Sequence, residues 1–355
     1  GDGGTVVLWS DIFNTNSATS VLGEIYSQGG STAGDGGNVE TSGHYLDINH
    51  AKISTFAPYG KTGDWLLDPG HIEITTAGTN GSHDLPTSIT SPTTKIHPDS
   101  ISNALSSNNV TLATGGSNYD LTVTNGVSSS SGRNLTLNAS RDIIVNAELN
   151  LGSGQLTLNA GDDLTISGNI TAGQLDLDAG GGDITVNNSL DTSAANGNAN
   201  LDADGTVSIA ATINSGTGAL SINAGAALTI GASITSGAID FDATNNFTLN
   251  NSYTINTTAS NGALDIDSND NLTINGTINT GTGTVTLDGQ DSIAVGSSAT
   301  INSGSQILTT LGVLSTNGSL NAGSGTILLE ANDNVTVGAN LTTTNETANA
   351  IKVIA

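Results

Sequence analysis

One unit of sequence recurs along most of this chain, and no other feature constrains its fold so tightly. An apolar pair at i and i+2 is followed about eight residues later by a second pair, and about six after that by a lone apolar residue. The unit reads Leu135/Leu137, Ile143/Val145, Leu149, then Leu156/Leu158, Leu164/Ile166, Ile170, then Leu175/Leu177, Ile184/Val186, Leu190. The same offsets return in Leu220/Ile222, Leu228/Ile230, Ile234, in Ile239/Phe241, Phe247/Leu249, Tyr253, and in Leu264/Ile266, Leu272/Ile274, Ile278. Period-two apolar pairs mark half-buried strands, and three strand-sized segments per repeat of about 19 to 25 residues match a parallel β-solenoid. One unit alone buries no face, so a core forms only when units stack. The expected fold is all-β, a right-handed parallel β-helix with three strands per rung and roughly 17 rungs. The apolar residues named above should point inward, with Leu156 stacked between Leu135 and Leu175, and the intervening Thr, Asn and Asp should point outward.

Composition supports a solenoid over a conventional globular core. Of 355 residues only 3% are aromatic, Met and Cys are absent, and Gly alone accounts for 46. The formal net charge is −26 with six Lys plus Arg, a balance that repels nucleic-acid phosphates and anionic membrane surfaces. No nucleic-acid partner and no membrane insertion are therefore expected, whereas a cationic partner or calcium fits. The lack of Cys removes disulfide and thiol chemistry and suits a long chain exported unfolded through an oxidising compartment. No apolar run is long enough to span a bilayer, and no signal peptide opens the chain, so it reads as an internal part of something longer.

Three regions separate along the chain. Residues 1–75 hold irregular rungs with larger side chains; 76–132 are a loop excursion followed by transitional rungs; 133–355 are the regular array. Thr75 to Pro98 has three of the five prolines and no apolar periodicity, which predicts a surface excursion. Asp99 to Leu105 predicts one helical turn capped by Asp or Ser, and strands should resume at Val110–Leu112 and Leu121–Val123. Asn-x-Gly-Ser/Thr-Gly recurs from Asn150, Asn214, Asn279 and Asn321, placing glycines at sharp corners that need positive φ. Neither end reads as a cap, which leaves two expectations: truncation, or end-to-end stacking of copies.

Gly3-Gly4-Thr5-Val6-Val7-Leu8-Trp9-Ser10-Asp11 is followed by Gly36-Gly37-Asn38-Val39-Glu40-Thr41-Ser42-Gly43, by Ala57-Pro58-Tyr59-Gly60-Lys61 and by Gly63-Asp64-Trp65-Leu66-Leu67-Asp68-Pro69. This succession, covering about a fifth of the chain, resembles the two-partner secretion exoproteins of Gram-negative bacteria, the filamentous-haemagglutinin-like and high-molecular-weight adhesin family, downstream of their secretion domain. The resemblance implies a right-handed β-helix, export through an outer-membrane secretion barrel, a secreted or cell-surface location, and adhesion or surface display as the work of a non-catalytic stalk. It names no host-cell, bacterial or glycan receptor. The alternative is an extracellular filament or matrix protein that self-associates into fibres end to end or side by side. The residues themselves read as structural: Trp9 and Trp65 should plug wide rungs, and Asp68-Pro69 should end a strand.

Catalytic signals are sparse. His44, His50, His71, His83 and His97 show no metal-ligand spacing and read as solvated loop or corner residues. A polysaccharide lyase needs a basic proton acceptor, and the array offers only Arg133, Arg141 and Lys352. Sequons such as Asn134-Leu-Thr136 and Asn271-Leu-Thr273 are no more frequent than this composition produces by chance. Thr165, Thr185, Thr229, Thr248 and Thr273 should form outward ladders. The candidate metal site is an acidic grid: Asp240, Asp242, Asp265, Asp267 and Asp288 fall on outward positions of three successive rungs, with Asp176, Asp178 and Asp202 as a smaller group. Like charges about 5 Å apart repel by about 0.8 kcal/mol even in water, and calcium, a hard cation that takes oxygen ligands, would offset that; solvation and salt would serve otherwise. No cofactor is otherwise implied.

Overall fold

A computed structural model describes residues 1–14, 16–48, 51–77 and 93–355. Its contacts divide into two compact units, Gly1–Gly181 and Gly182–Ala355. Each is a parallel β-solenoid, and in all there are about 13 turns.

In the first unit the leading sheet contains Thr5–Trp9, Asn38–Ser42, Asp64–Asp68, Asn109–Ala113, Leu135–Ala139, Gln155–Ala160 and Gln174–Ala179, every neighbouring pair parallel. Leu156 lies opposite Leu135 on one side and Leu175 on the other, as the repeat predicts. A second sheet stacks Ile72/Ile74, Leu121/Val123, Ile143/Val145 and Leu164/Ile166, and a third stacks Val127, Leu149 and Ile170. All of these side chains are fully or almost fully buried. Burial of each is worth about 1.5–3 kcal/mol, and a row of identical positions continues that gain from rung to rung.

The turn number is smaller than 17 because the early rungs are long. Partners on adjacent turns are 33 residues apart at Asp2 and Asp35 and 26 apart at Asp35 and Lys61, against 21 at Asn138 and Asn159 in the array. The expected excursion lies mostly outside the described residues, but Thr93–Ile96 returns as a strand paired with His71–Ile74, a β segment that its single alternation of Thr and Ile had hidden. The helix spans Pro98–Ala104 with Ile101 and the following Leu105 buried. Its cap is neither Asp nor Ser: His97 Nδ1 accepts the Asp99 N–H at 3.2 Å, with Pro98 at the first helical position, where its missing N–H costs nothing.

The second unit repeats the plan. Ala199–Ala203 to Ile351–Ile354 form its leading sheet, Ile184–Val186 to Val335–Val337 the second and Leu190–Asp191 to Leu341–Thr342 the third. Phe241 and Phe247 stack across the core with centroids 6.1 Å apart. One predicted inward residue is wrong: Tyr253 is 37% exposed, and Ile255, fully buried, pairs with Ile234 and Ile278 instead. Ser252, at φ 69°, takes up the two extra residues. The corner glycines behave as expected in both units, with Gly152, Gly216, Gly281 and Gly323 at φ 52–62°.

Inside the second unit a file of hydroxyls runs where the apolar pattern is silent. Thr192, Ser215, Thr257, Thr280 and Ser303 are buried, and each donates to a carbonyl of its own corner, at 2.6 to 3.0 Å. Each carbonyl thereby gains a side-chain donor; those of Gly218 and Gly283 also accept the N–H of Gly237 and Gly304 on the next rung, so the hydroxyl occupies the second lone pair. Thr316 is different. It stands between Val295 and Val337, fully buried, and its Oγ1 has no partner. Thr316→Val keeps the shape and removes the unpaired hydroxyl, so stability should rise by about 1 kcal/mol, or roughly 2–4 °C in Tm for a unit of this size. Calorimetry of the two proteins checks it, and a lower Tm in the variant would refute it.

Candidate functional site

The acidic grid forms as the register of the array requires. On the leading sheet of the second unit Asp240 lies opposite Asp265 and Asp242 opposite Asp267, while Asp267 is followed by Asp288. The inward residues between them, Phe241, Ile266 and Leu287, are fully buried and fix the strands from which the carboxylates project. All five side chains stand exposed, in columns about 4.8 Å apart. The columns begin and end in neutral partners: Ser221 and Asn223 precede Asp240 and Asp242, Thr286 follows Asp265, and Thr309 follows Asp288. In the smaller group, Asp176 and Asp178 lie opposite Thr157 and Asn159, and Asp202 opposite Asn223, whose Nδ2 donates to it at 2.9 Å.

Crowding changes the acidity of the grid. Partial loss of hydration among packed neighbours, then the charges of Asp265, Asp242, Asp288 and Asp240, push Asp267 from 3.8 to about 6. Asp265 is raised by the same desolvation and by Asp240, Asp242 and Asp288, and Asp242 by desolvation and Asp240. Between pH 3.8 and about 6 the folded chain therefore holds a proton that the unfolded chain has released. Stability must fall as pH rises through that window and be greatest below it. The groups are exposed, so solvent screens most of the effect and on the order of 1 kcal/mol survives. Tm should rise by roughly 2–4 °C between pH 7 and pH 5. Asp267→Asn should raise Tm at pH 7 and remove the grid's share of the pH dependence, leaving that of Asp68, which is also raised to about 6; a wild-type Tm that falls on mild acidification contradicts the assignment.

The first unit holds the other polar clusters. Asp68 ends its strand before Pro69, as expected, but its Oδ1 is buried without a hydrogen-bond partner. That burial, and then the charge of Glu40 on the neighbouring strand, push Asp68 up to about 6. Burial likewise opposes ionisation of Asp120, yet hydrogen bonds from Arg141 and the Asp142 N–H, with the Arg141 charge, outweigh it and lower its pKa. Arg141 Nε donates to Asp120 Oδ1 at 2.6 Å.

The three described histidines are held, not solvated. His44 is 3% exposed and its Nδ1–H donates to the Ile12 carbonyl at 2.9 Å, with the ring edge-on to Tyr45. His71 Nδ1 accepts the Asp120 N–H at 3.0 Å, and His97 caps the helix; His50 and His83 lie outside the described residues. Trp65 is buried, its Nε1–H donating to Thr41 Oγ1 at 3.0 Å. Trp9, by contrast, is 68% exposed on a strand that pairs on one side only among the described residues. Among the described residues no three His, Asp or Glu side chains converge in a group that could hold a metal, and no helix is long and apolar enough to cross a membrane. Comparison with protein-family models, curated proteins and solved structures finds no match.

Proposed function

We propose that this chain is a stalk segment of a secreted bacterial surface exoprotein serving adhesion or surface display, a right-handed coil with three strands in each regular rung and no catalytic centre of its own. The observation that carries this reading is the placement of three of the motif segments behind the resemblance. Thr5–Trp9, Asn38–Ser42 and Asp64–Asp68 are consecutive strands of one parallel sheet, so the motifs form one continuous surface. Beyond them, small aliphatics maintain a narrow core while Asn, Thr and Asp cover the outside, an economical way to present surface. Such a chain, free of Cys, suits export through an outer-membrane barrel. Beads coated with the protein should attach to host or bacterial cells in greater number than beads coated with an unrelated acidic protein; equal attachment would sink the reading.

The filament alternative draws on one feature, the exposed Val7, Leu8 and Trp9 on a strand paired on one side only among the described residues, since exposed apolar side chains grouped on a surface invite another chain. Light scattering that grows into fibres with concentration favours it. Calcium bridging carboxylates of adjacent rungs belongs to either reading. Millimolar calcium should raise Tm, and Asp242→Asn with Asp267→Asn should abolish most of the rise; identical melting curves with and without calcium leave the grid as solvated charge that keeps the surface soluble.

A further inference from the structure

The second unit carries a run of amides that neither the acidic grid nor the motifs account for. Asn256, Asn279, Asn302 and Asn321 occupy one register position on four successive strands, with Thr235 before them and Thr342 after. Asn302 Nδ2 donates to Asn279 Oδ1 at 2.7 Å, and Asn321 Nδ2 to Asn302 Oδ1 at 2.9 Å. The four amides line an open depression of about 440 Å³ with Thr258 at its margin.

Local sequence opens that depression. After Asn279 and Asn321 the chain turns through Gly281 and Gly323 at φ +62° and +52°, residues with no side chain to cover the amides. After Asn302 there is no turn: the Ser303 hydroxyl points inward to the Ser305 carbonyl, and Gly304 leads at once into the strand Ser305–Thr310. A short corner between two longer ones leaves a notch.

A primary amide has two donor hydrogens and two acceptor lone pairs. The ladder uses one of each on Asn302, so a donor and an acceptor remain for a ligand. No charged side chain lines the depression. The repeat of these donor–acceptor sets is the strand spacing, about 4.8 Å, close to the advance of one pyranose ring along an extended β-1,4-linked chain. A hydroxyl, itself donor and acceptor, is the complement of such an amide. The net charge of −26 disfavours an anionic polymer. We infer that the Asn256–Asn321 amide ladder is a binding subsite for a neutral, linear, β-1,4-linked glycan lying along the rungs. The inference rests on the adhesion reading and names the chemistry of what is bound. No aromatic platform is present, so affinity comes from repetition and must grow with glycan length.

Calorimetric titration of the full chain with cellohexaose, β-1,4-mannohexaose and β-1,4-xylohexaose tests it. At least one should bind saturably, at least tenfold more tightly than its disaccharide. Thr258→Arg, an exposed position whose backbone N–H still reaches Asn256 Oδ1, should weaken binding at least tenfold with Tm unchanged, and Asn302→Ala should do the same with a lower Tm. Absence of saturable binding by all three hexasaccharides, equal affinity for hexamer and dimer, or unchanged binding in Thr258→Arg would overturn the site. Coated beads that attach to cells while the chain binds none of these glycans would remove the site and leave adhesion standing; glycan binding without attachment would do the reverse.

Discussion

Leu158→Asp should abolish cooperative folding of the array rungs around it. Leu158 is fully buried in the strand Gln155–Ala160, stacked between Leu137 and Leu177. A carboxylate there has no cation and no free donor within a core built of aliphatic side chains. An ionised group buried unpaired costs far more than the roughly 1.5–3 kcal/mol that the lost leucine contributed. Protonation would relieve part of the charge but leaves an unpaired acid in an apolar layer. Because each rung gains its stability from its neighbours, the damage should spread to Leu135–Ala139 and Gln174–Ala179. A loss of about 4 kcal/mol or more is expected, read as loss of amide protection over these strands in hydrogen exchange. Leu158→Met, close in volume, should cost less than about 1.5 kcal/mol. A Leu158→Asp protein that melts within a degree or two of wild type would refute the inward assignment.

Much of this fold is legible because one physical signal repeats. Each apolar pair is weak evidence alone, but the same offsets recurring from Leu135 to Ile278 allow few other arrangements. Legibility fails where the repeat count slips or where an inward position is polar. Tyr253 occupied the expected offset, yet the turn at Ser252 shifted the strand so that Ile255 entered the core. The buried hydroxyls of Ser215, Thr257 and Thr280 donate to corner carbonyls, a role that a hydropathy pattern cannot express. Their signal was positional: each follows the third-strand apolar residue by two. In the first 75 residues, where rungs differ in length, the sequence does not separate the buried Trp65 from the exposed Trp9. The acidic grid was readable because strand register alone determines it. The asparagine ladder is equally periodic, but its depression depends on corner lengths that only the folded chain brings together.

Those corner lengths are fixed by close backbone approach, and Gly262→Ala should show how tightly. Gly262 closes the long corner after Asn256, and its carbonyl accepts the Thr257 hydroxyl at 2.6 Å. A methyl group on Gly262 would overlap the Gly237 carbonyl on the preceding rung and come within 2.9 Å of Ala238 Cα. Both obstacles are backbone, so no side-chain rotation clears them. Gly237 is itself anchored by its N–H to the Gly218 carbonyl at 2.7 Å, and Ser260 Oγ donates to the Gly237 carbonyl at 2.5 Å. The rungs would have to separate locally, breaking the Ile239 N–H to Ala263 carbonyl bond of 3.0 Å beside the corner. Overpacking of this kind costs about 3 kcal/mol, a fall of roughly 6–12 °C in Tm. Gly23→Ala is the control, because nothing lies within 4 Å of its added carbon, and it should leave Tm nearly unchanged. If Gly262→Ala melts with the control, rung spacing at this corner is slack. If it melts early while Thr258→Arg does not, the corner's backbone contacts hold the rungs together and its exposed side chains remain free for binding.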